Sequence, residues 1–198
     1  MSATKQRDLV ARLAKTDSPH ALQKARKISE PWFRAQALAY IARYCDQAPT
    51  SVANQAAKAA EACVDTYQQC AVRAWEIAAL AERSHTKSAA SRLQAVLSKA
   101  RQIEPPSSRS EALILLLSAA AHINSNAVET VAKMVVRVTD CHSNWRCDRA
   151  TVNAIGILYR FNPESAAHLS QSVSNAKLRS KCDKIIAAGG SSPRSFFW

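Results

Sequence analysis

The chain has 198 residues, 47% of them hydrophobic, with 38 alanines and only three glycines. That composition excludes a disordered chain and favours helix over sheet, because alanine is the best helix former and glycine a poor one. The formal net charge is +12, from 27 Lys and Arg against 15 Asp and Glu, which bears on partners and solubility rather than on fold.

The elements follow in chain order. A leading helix is predicted over 5–15, in the polar stretch TKQRDLVARLAK. Five segments with one grammar come after it. Each has an alanine-rich helix A, a short corner with Ser, Pro, Thr or Asn, and an apolar helix B. The A helices are expected at 19–28, 51–64, 88–103, 127–139 and 164–174. The B helices are expected at 31–46, 67–83, 107–123, 145–161 and 176–188. Pro19, Pro31, Pro49, Pro105, Pro106 and Pro163 fall between the apolar-periodic segments, where proline starts a helix rather than breaking one. Glu30–Pro31, Thr66, Pro106–Ser107 and Asn144 are further start signals. The last apolar residue before each corner is Ile28, Val64, Ile103, Val138 and Val173, at intervals of 36, 39, 35 and 35 residues. A period of this size marks an array of helical hairpins. The most apolar B helix, with the run ALILLLSAAA at 112–121, is expected at the centre, with Leu115 in its core. That run is about half of what a bilayer span needs. The N-terminal stretch has no uninterrupted apolar core of a secretory signal, so a soluble, cytoplasmic protein is expected.

This pattern resembles the HEAT-like and tetratricopeptide-like α-solenoids over 5–188. It lacks the W-x2-L-G-x2-Y signature of strict tetratricopeptide repeats. The resemblance implies an all-α fold: a right-handed α-solenoid of about five antiparallel helix pairs plus an N-terminal capping helix. One helical-repeat domain would occupy 1–188. Residues 189–198, GGSSPRSFFW, would form a flexible or docking tail, with Phe196, Phe197 and Trp198 free to engage a partner or a second copy. The alternative for the tail is that it folds back over the end of the array.

In related-looking solenoids the B helices line a concave face. Arg34, Arg73, Arg109, Arg146 and Arg149 all lie near B-helix starts. On one face they would form a stripe suited to phosphate or carboxylate, since a guanidinium offers a planar fork of donors. Ion pairing with Glu76, Glu111 or Asp148 is the bland alternative. Trp32 and Trp145 stand at B-helix corners, where they either anchor a partner or staple the helix entry. Trp75, in mid-helix, is expected in the core.

The six cysteines read as buried or half-buried thiols in a chain without a secretory signal. Cys63 with Cys70, and Cys141 with Cys147, straddle corners and could each pair if oxidised. The stretch DCHSNWRC offers three metal-binding side chains where a closed zinc site wants four, so no metal is assigned. The sequence carries no phosphate-binding glycine loop, no H-E-x-x-H and no G-x-S-x-G, and no catalytic residue or cofactor is assigned. The expected function is a non-enzymatic helical-repeat scaffold that binds a protein partner on a basic concave face, where the net charge favours an acidic one. The alternative is a nucleic-acid-binding HEAT-like solenoid. A DNA base-excision enzyme belongs to that alternative, because some HEAT-like DNA glycosylases combine a basic groove, tryptophans and a carboxylate such as Asp148.

Overall fold

The computed structural model describes residues 1–142 and 144–198; Ser143, inside the DCHSNWRC stretch, lies outside them. The described residues form α-helices joined by short connections and contain no strand. None of the helices is long and apolar enough to cross a membrane. The chain divides into two compact units, residues 1–96 with 196–198 and residues 97–195.

The first unit holds α1 (Ala3–Leu13), α2 (Ser18–Arg26), α3 (Pro31–Tyr44), α4 (Pro49–Glu61), α5 (Thr66–Ala71) and α6 (Arg73–Glu82). α7 (Thr86–Ala100) starts in this unit and ends in the second. The second unit continues with α8 (Pro106–Ala120), α9 (Ser125–Cys141), α10 (Trp145–Tyr159), α11 (Pro163–Gln171) and α12 (Ala176–Ala187). Start signals account for most of these beginnings. Pro31, Pro49, Pro106 and Pro163 open their helices, where the missing N–H costs nothing. Asp17, Asp65, Asn124, Asn144, Asn162 and Asn175 accept hydrogen bonds from backbone N–H groups of the first turns. At the second corner Asp65 is therefore the cap, and Thr66 is the first helical residue.

In the first unit α3 packs against α1, α2, α4 and α6. Every residue from Ala35 to Ala42 is buried, and so is every residue from Ala74 to Ala81 in α6. Alanine makes this possible, because small side chains on facing ridges let helices approach closely all round. In the second unit α10 packs against α8, α9, α11 and α12. Leu113, Leu116 and Leu117 of α8 are fully buried there, with Val128, Val131 and Val135 of α9 and Ile155 of α10. Leu115 is only half-buried and does not lie in this core as expected. A run of five large apolar residues, Leu113 to Leu117, conceals which face turns inward.

The corners repeat in atomic detail. Ile28, Cys63, Ile103 and Val173 each close the turn after their A helix, donating N–H to the carbonyl three residues back. All four side chains are nearly inaccessible. Each carbonyl then accepts from the side chain six residues on. Arg34 Nη1 reaches Ile28 O at 2.9 Å, and Gln69 Nε2 reaches Cys63 O at 2.9 Å. Arg109 Nε reaches Ile103 O at 2.9 Å, and Arg179 Nη1 reaches Val173 O at 3.2 Å. These donors satisfy carbonyls that a helix end leaves open. After Val138 the same offset falls on Asn144, which caps α10 instead. The residue that keeps the register at the second corner is Cys63, not Val64, which is 92% exposed.

The chain leaves α12 through Gly189 and Gly190, both at positive φ (89° and 82°). A Cβ on Gly190 would meet the carbonyl oxygen of Gly156 at 2.5 Å, so only glycine fits at that point. Gly156 itself lies inside α10 and makes room for Ser191, whose N–H donates to Gly156 O at 2.9 Å. Arg160 Nη1 donates to Ser192 Oγ at 2.7 Å, and Arg194 N donates to Ser118 Oγ at 3.2 Å. Residues 196–198 then belong to the first unit. Phe196 is 1% exposed and meets Trp75 edge-on at 5.0 Å. Phe197 and Trp198 both meet the buried Tyr40 ring, at 5.0 and 4.8 Å.

Candidate binding surface

The arginines near the B-helix starts have different partners. Arg34 and Arg109 are occupied by their corner carbonyls, and Arg109 also pairs with the Glu104 carboxylate. Arg73, in the first turn of α6, donates through Nε to Glu76 Oε1 at 2.6 Å. Trp32 packs edge-on against Trp75, with ring centroids 6.0 Å apart. The sequence held a signal for the corner role: Arg, Gln, Arg and Arg stand six residues after Ile28, Cys63, Ile103 and Val173.

Glu76 was visible in the sequence only as a local ion-pair partner. It is 1% exposed and sits between two cations, with Arg92 Nη1 3.5 Å from the same Oε1. Arg92 also donates to Asn54 Oδ1 and is largely covered itself. It is therefore part of the packed structure rather than a free surface charge. Oε2 of Glu76 has no hydrogen-bond partner. Burial lifts the Glu76 carboxyl above the usual glutamate value of 4.5, and the Arg73 and Arg92 guanidiniums offset only part of that lift. The folded protein therefore holds the proton more tightly than the unfolded chain does. The stabilisation is complete below the unfolded-state value and is lost as pH rises through the raised folded one. We expect the urea midpoint of the wild type to fall relative to Glu76→Gln between pH 4.5 and pH 7. Each unit of upward shift corresponds to about 1.4 kcal/mol. Parallel midpoints for the two proteins across that range would contradict this account.

Arg146 and Arg149 are placed differently. Asn144 Oδ1 accepts from the N–H groups of Arg146 and Cys147 at 3.0 and 3.1 Å, which fixes the start of α10. Trp145 is the first residue of that helix and is 65% exposed. The Arg146 and Arg149 guanidiniums lie 5.4 and 5.2 Å from its ring centroid, within the range of cation–π attraction. Arg149 is 66% exposed, with the Glu111 carboxylate 3.7 Å from its Nη2 and Asp148 lining the same cavity. Trp145, Asp148, Arg149, Val152, Asn153, Lys181 and Ser191 line a cavity of about 490 Å³. An indole this exposed, carrying two cations and bordering a cavity with an apolar wall, forms one continuous surface.

All six cysteines are free thiols, and only Cys141 is exposed. Cys147 is fully buried, and its Sγ accepts from Asn144 Nδ2 at 3.1 Å and Ser110 Oγ at 3.5 Å. Cys182 is also buried, and burial pushes its thiol up to about 11. Among the described residues no three His, Cys, Asp or Glu side chains are gathered to hold a metal ion. Comparison with family models, curated proteins and solved structures gives no match.

Proposed function

We propose that the chain is a non-enzymatic helical-repeat scaffold that binds an acidic protein partner through Trp145, Arg146 and Arg149. The observation that carries this reading is the exposed Trp145 indole with both guanidiniums against it. Tryptophan and arginine are the side chains on which binding energy concentrates in protein interfaces. Two arginines held against a ring lose little freedom when they meet carboxylates. The neighbouring cavity offers Val152 and Lys181 to an adjoining side chain of the partner.

The architecture we propose is a right-handed α-solenoid of antiparallel helix pairs, with α1 as its cap. Its support is the repeated corner and the pattern of neighbours. B helices pack on successive B helices, α3 on α6 in the first unit and α8 on α10 and α10 on α12 in the second. In such an array each unit contacts only its neighbours and leaves one extended face for a partner.

Proximity cross-linking in the native host tests the function, comparing wild type with Trp145→Ala/Arg149→Glu. Both changes lie at exposed side chains, so helicity and melting temperature should stay nearly unchanged. The double variant is expected to lose a captured acidic protein by roughly a hundredfold or more, as truncation of one central anchor costs about 2–4 kcal/mol. If micromolar wild type instead retains random-sequence DNA in physiological salt and the variant does not, the nucleic-acid reading replaces this one.

A further inference from the structure

A second cavity, of about 380 Å³, is lined by Arg101, Arg109, Leu113, Met134, Arg137, Val138, Cys141 and His142. Its volume is that of a small-ligand pocket. Leu113 and Val138 give it a buried apolar floor. Arg101 and Arg137 are exposed and make no ion pair among the described residues. Arg109 is held by its corner carbonyl and by Glu104, which is itself 66% exposed. The nearby ends of α7 and α9 contribute roughly half a negative charge each. Three guanidiniums outweigh these and the Glu104 carboxylate together on the cavity lining; Asp140, next to Cys141, lines the neighbouring cavity with Arg137 and not this one.

We propose that this cavity binds a phosphate monoester carrying a compact apolar or aromatic group. A phosphate dianion matches two unpaired guanidiniums better than a single carboxylate does, and each planar fork can bind two of its oxygens. The apolar part of the ligand lies on Met134 and Val138, with the buried Leu113 beneath them. Arg109 is pre-positioned by its bond to Ile103 O, so the site loses little order on binding. The ligand could be a free ester or a phosphorylated aromatic side chain, and both present the same chemistry to the cavity. The site does not depend on the Trp145 surface.

Cys141 provides the readout, because it lines this cavity and is the one exposed cysteine of the six. The experiment follows its alkylation by N-ethylmaleimide, located by peptide mass spectrometry, in phosphate-free buffer at fixed ionic strength. Phenyl phosphate is expected to slow alkylation in a saturable way. Inorganic phosphate should require at least about tenfold higher concentration, since it leaves the apolar floor uncovered. Phenol alone should not protect. Arg101→Ala/Arg137→Ala should lose protection by at least about tenfold, two charge-assisted hydrogen-bonding groups being removed. Its far-ultraviolet circular dichroism should match wild type. A phosphotyrosine peptide that protects as well as phenyl phosphate would identify the ligand as a modified side chain, and weaker protection would identify a free ester. The proposal is overturned if phenyl phosphate does not protect Cys141 in the wild type. Equal protection in the folded double variant also overturns it.

Discussion

Leu116→Asp is expected to abolish the cooperative unfolding transition of residues 97–195 at 25 °C. Leu116 is fully inaccessible, and so are Leu113 and Leu117 beside it on α8. The substitution removes about 1.5–3 kcal/mol of side-chain burial. It also places a carboxyl at a position that water does not reach. The group takes up a proton rather than stay charged, and even the neutral form carries a desolvation cost of roughly 1–3 kcal/mol. A total of several kcal/mol approaches the whole stability of an ordinary domain, about 5–15 kcal/mol. Leu115→Asp, one position earlier, changes a half-buried side chain that can turn its carboxylate toward water. That variant should retain a cooperative urea transition. Circular dichroism with urea titration separates the two proteins. Equal damage from both would show that the inward face of α8 has been misassigned.

Phe196→Ala should cost the first unit about 3–5 kcal/mol, the usual effect of truncating a buried phenylalanine. Phe196 is 1% exposed, and its ring contacts Trp75, which is itself 5% exposed. Edge-to-face aromatic pairs contribute about 0.5–1.5 kcal/mol beyond the area they cover. Phe197 is also held, by the Tyr40 ring. Trp198 lies over Tyr40 and under the Arg7 guanidinium, at 4.8 and 5.4 Å, yet it is 60% exposed. Trp198→Ala should therefore cost far less, about 1 kcal/mol. Native-state hydrogen exchange assigns the loss, with amides of α3 and α6 gaining exchange in Phe196→Ala while those of α9 and α10 are unchanged. Unchanged protection throughout would mean that the aromatic end adds nothing to the first unit's stability.

Much of the local structure was legible in the sequence because its causes are local. Proline and Asn or Asp mark helix starts through backbone chemistry, so Pro31 and Trp145 begin their helices where expected. The break at Val72 between α5 and α6 has no such marker. Where two apolar residues adjoin at a corner, as Cys63 and Val64 do, periodicity cannot choose between them; the neighbouring helix does. The cluster of Trp145, Arg146 and Arg149 was legible because one helix turn brings it together. The cavity at Cys141 was not, since its arginines come from positions 101, 109 and 137. The partners of Arg34 and Arg109 were missed for a different reason. Charge suggests a ligand, whereas the acceptor common to both is a main-chain carbonyl, which every sequence contains.

The place of Phe196 also bears on the order in which the chain is made. About a hundred residues separate it from the end of the first unit's continuous stretch at Val96. At roughly 5–20 residues per second, a ribosome needs on the order of 5–20 seconds to cover that distance. Throughout that interval Trp75 and Tyr40 lack the aromatic rings that later cover them. The emerging first half thus presents a sticky aromatic surface to the surrounding cell before its own chain can shield it. A nascent-chain holdase that favours aromatic side chains would have its longest opportunity there.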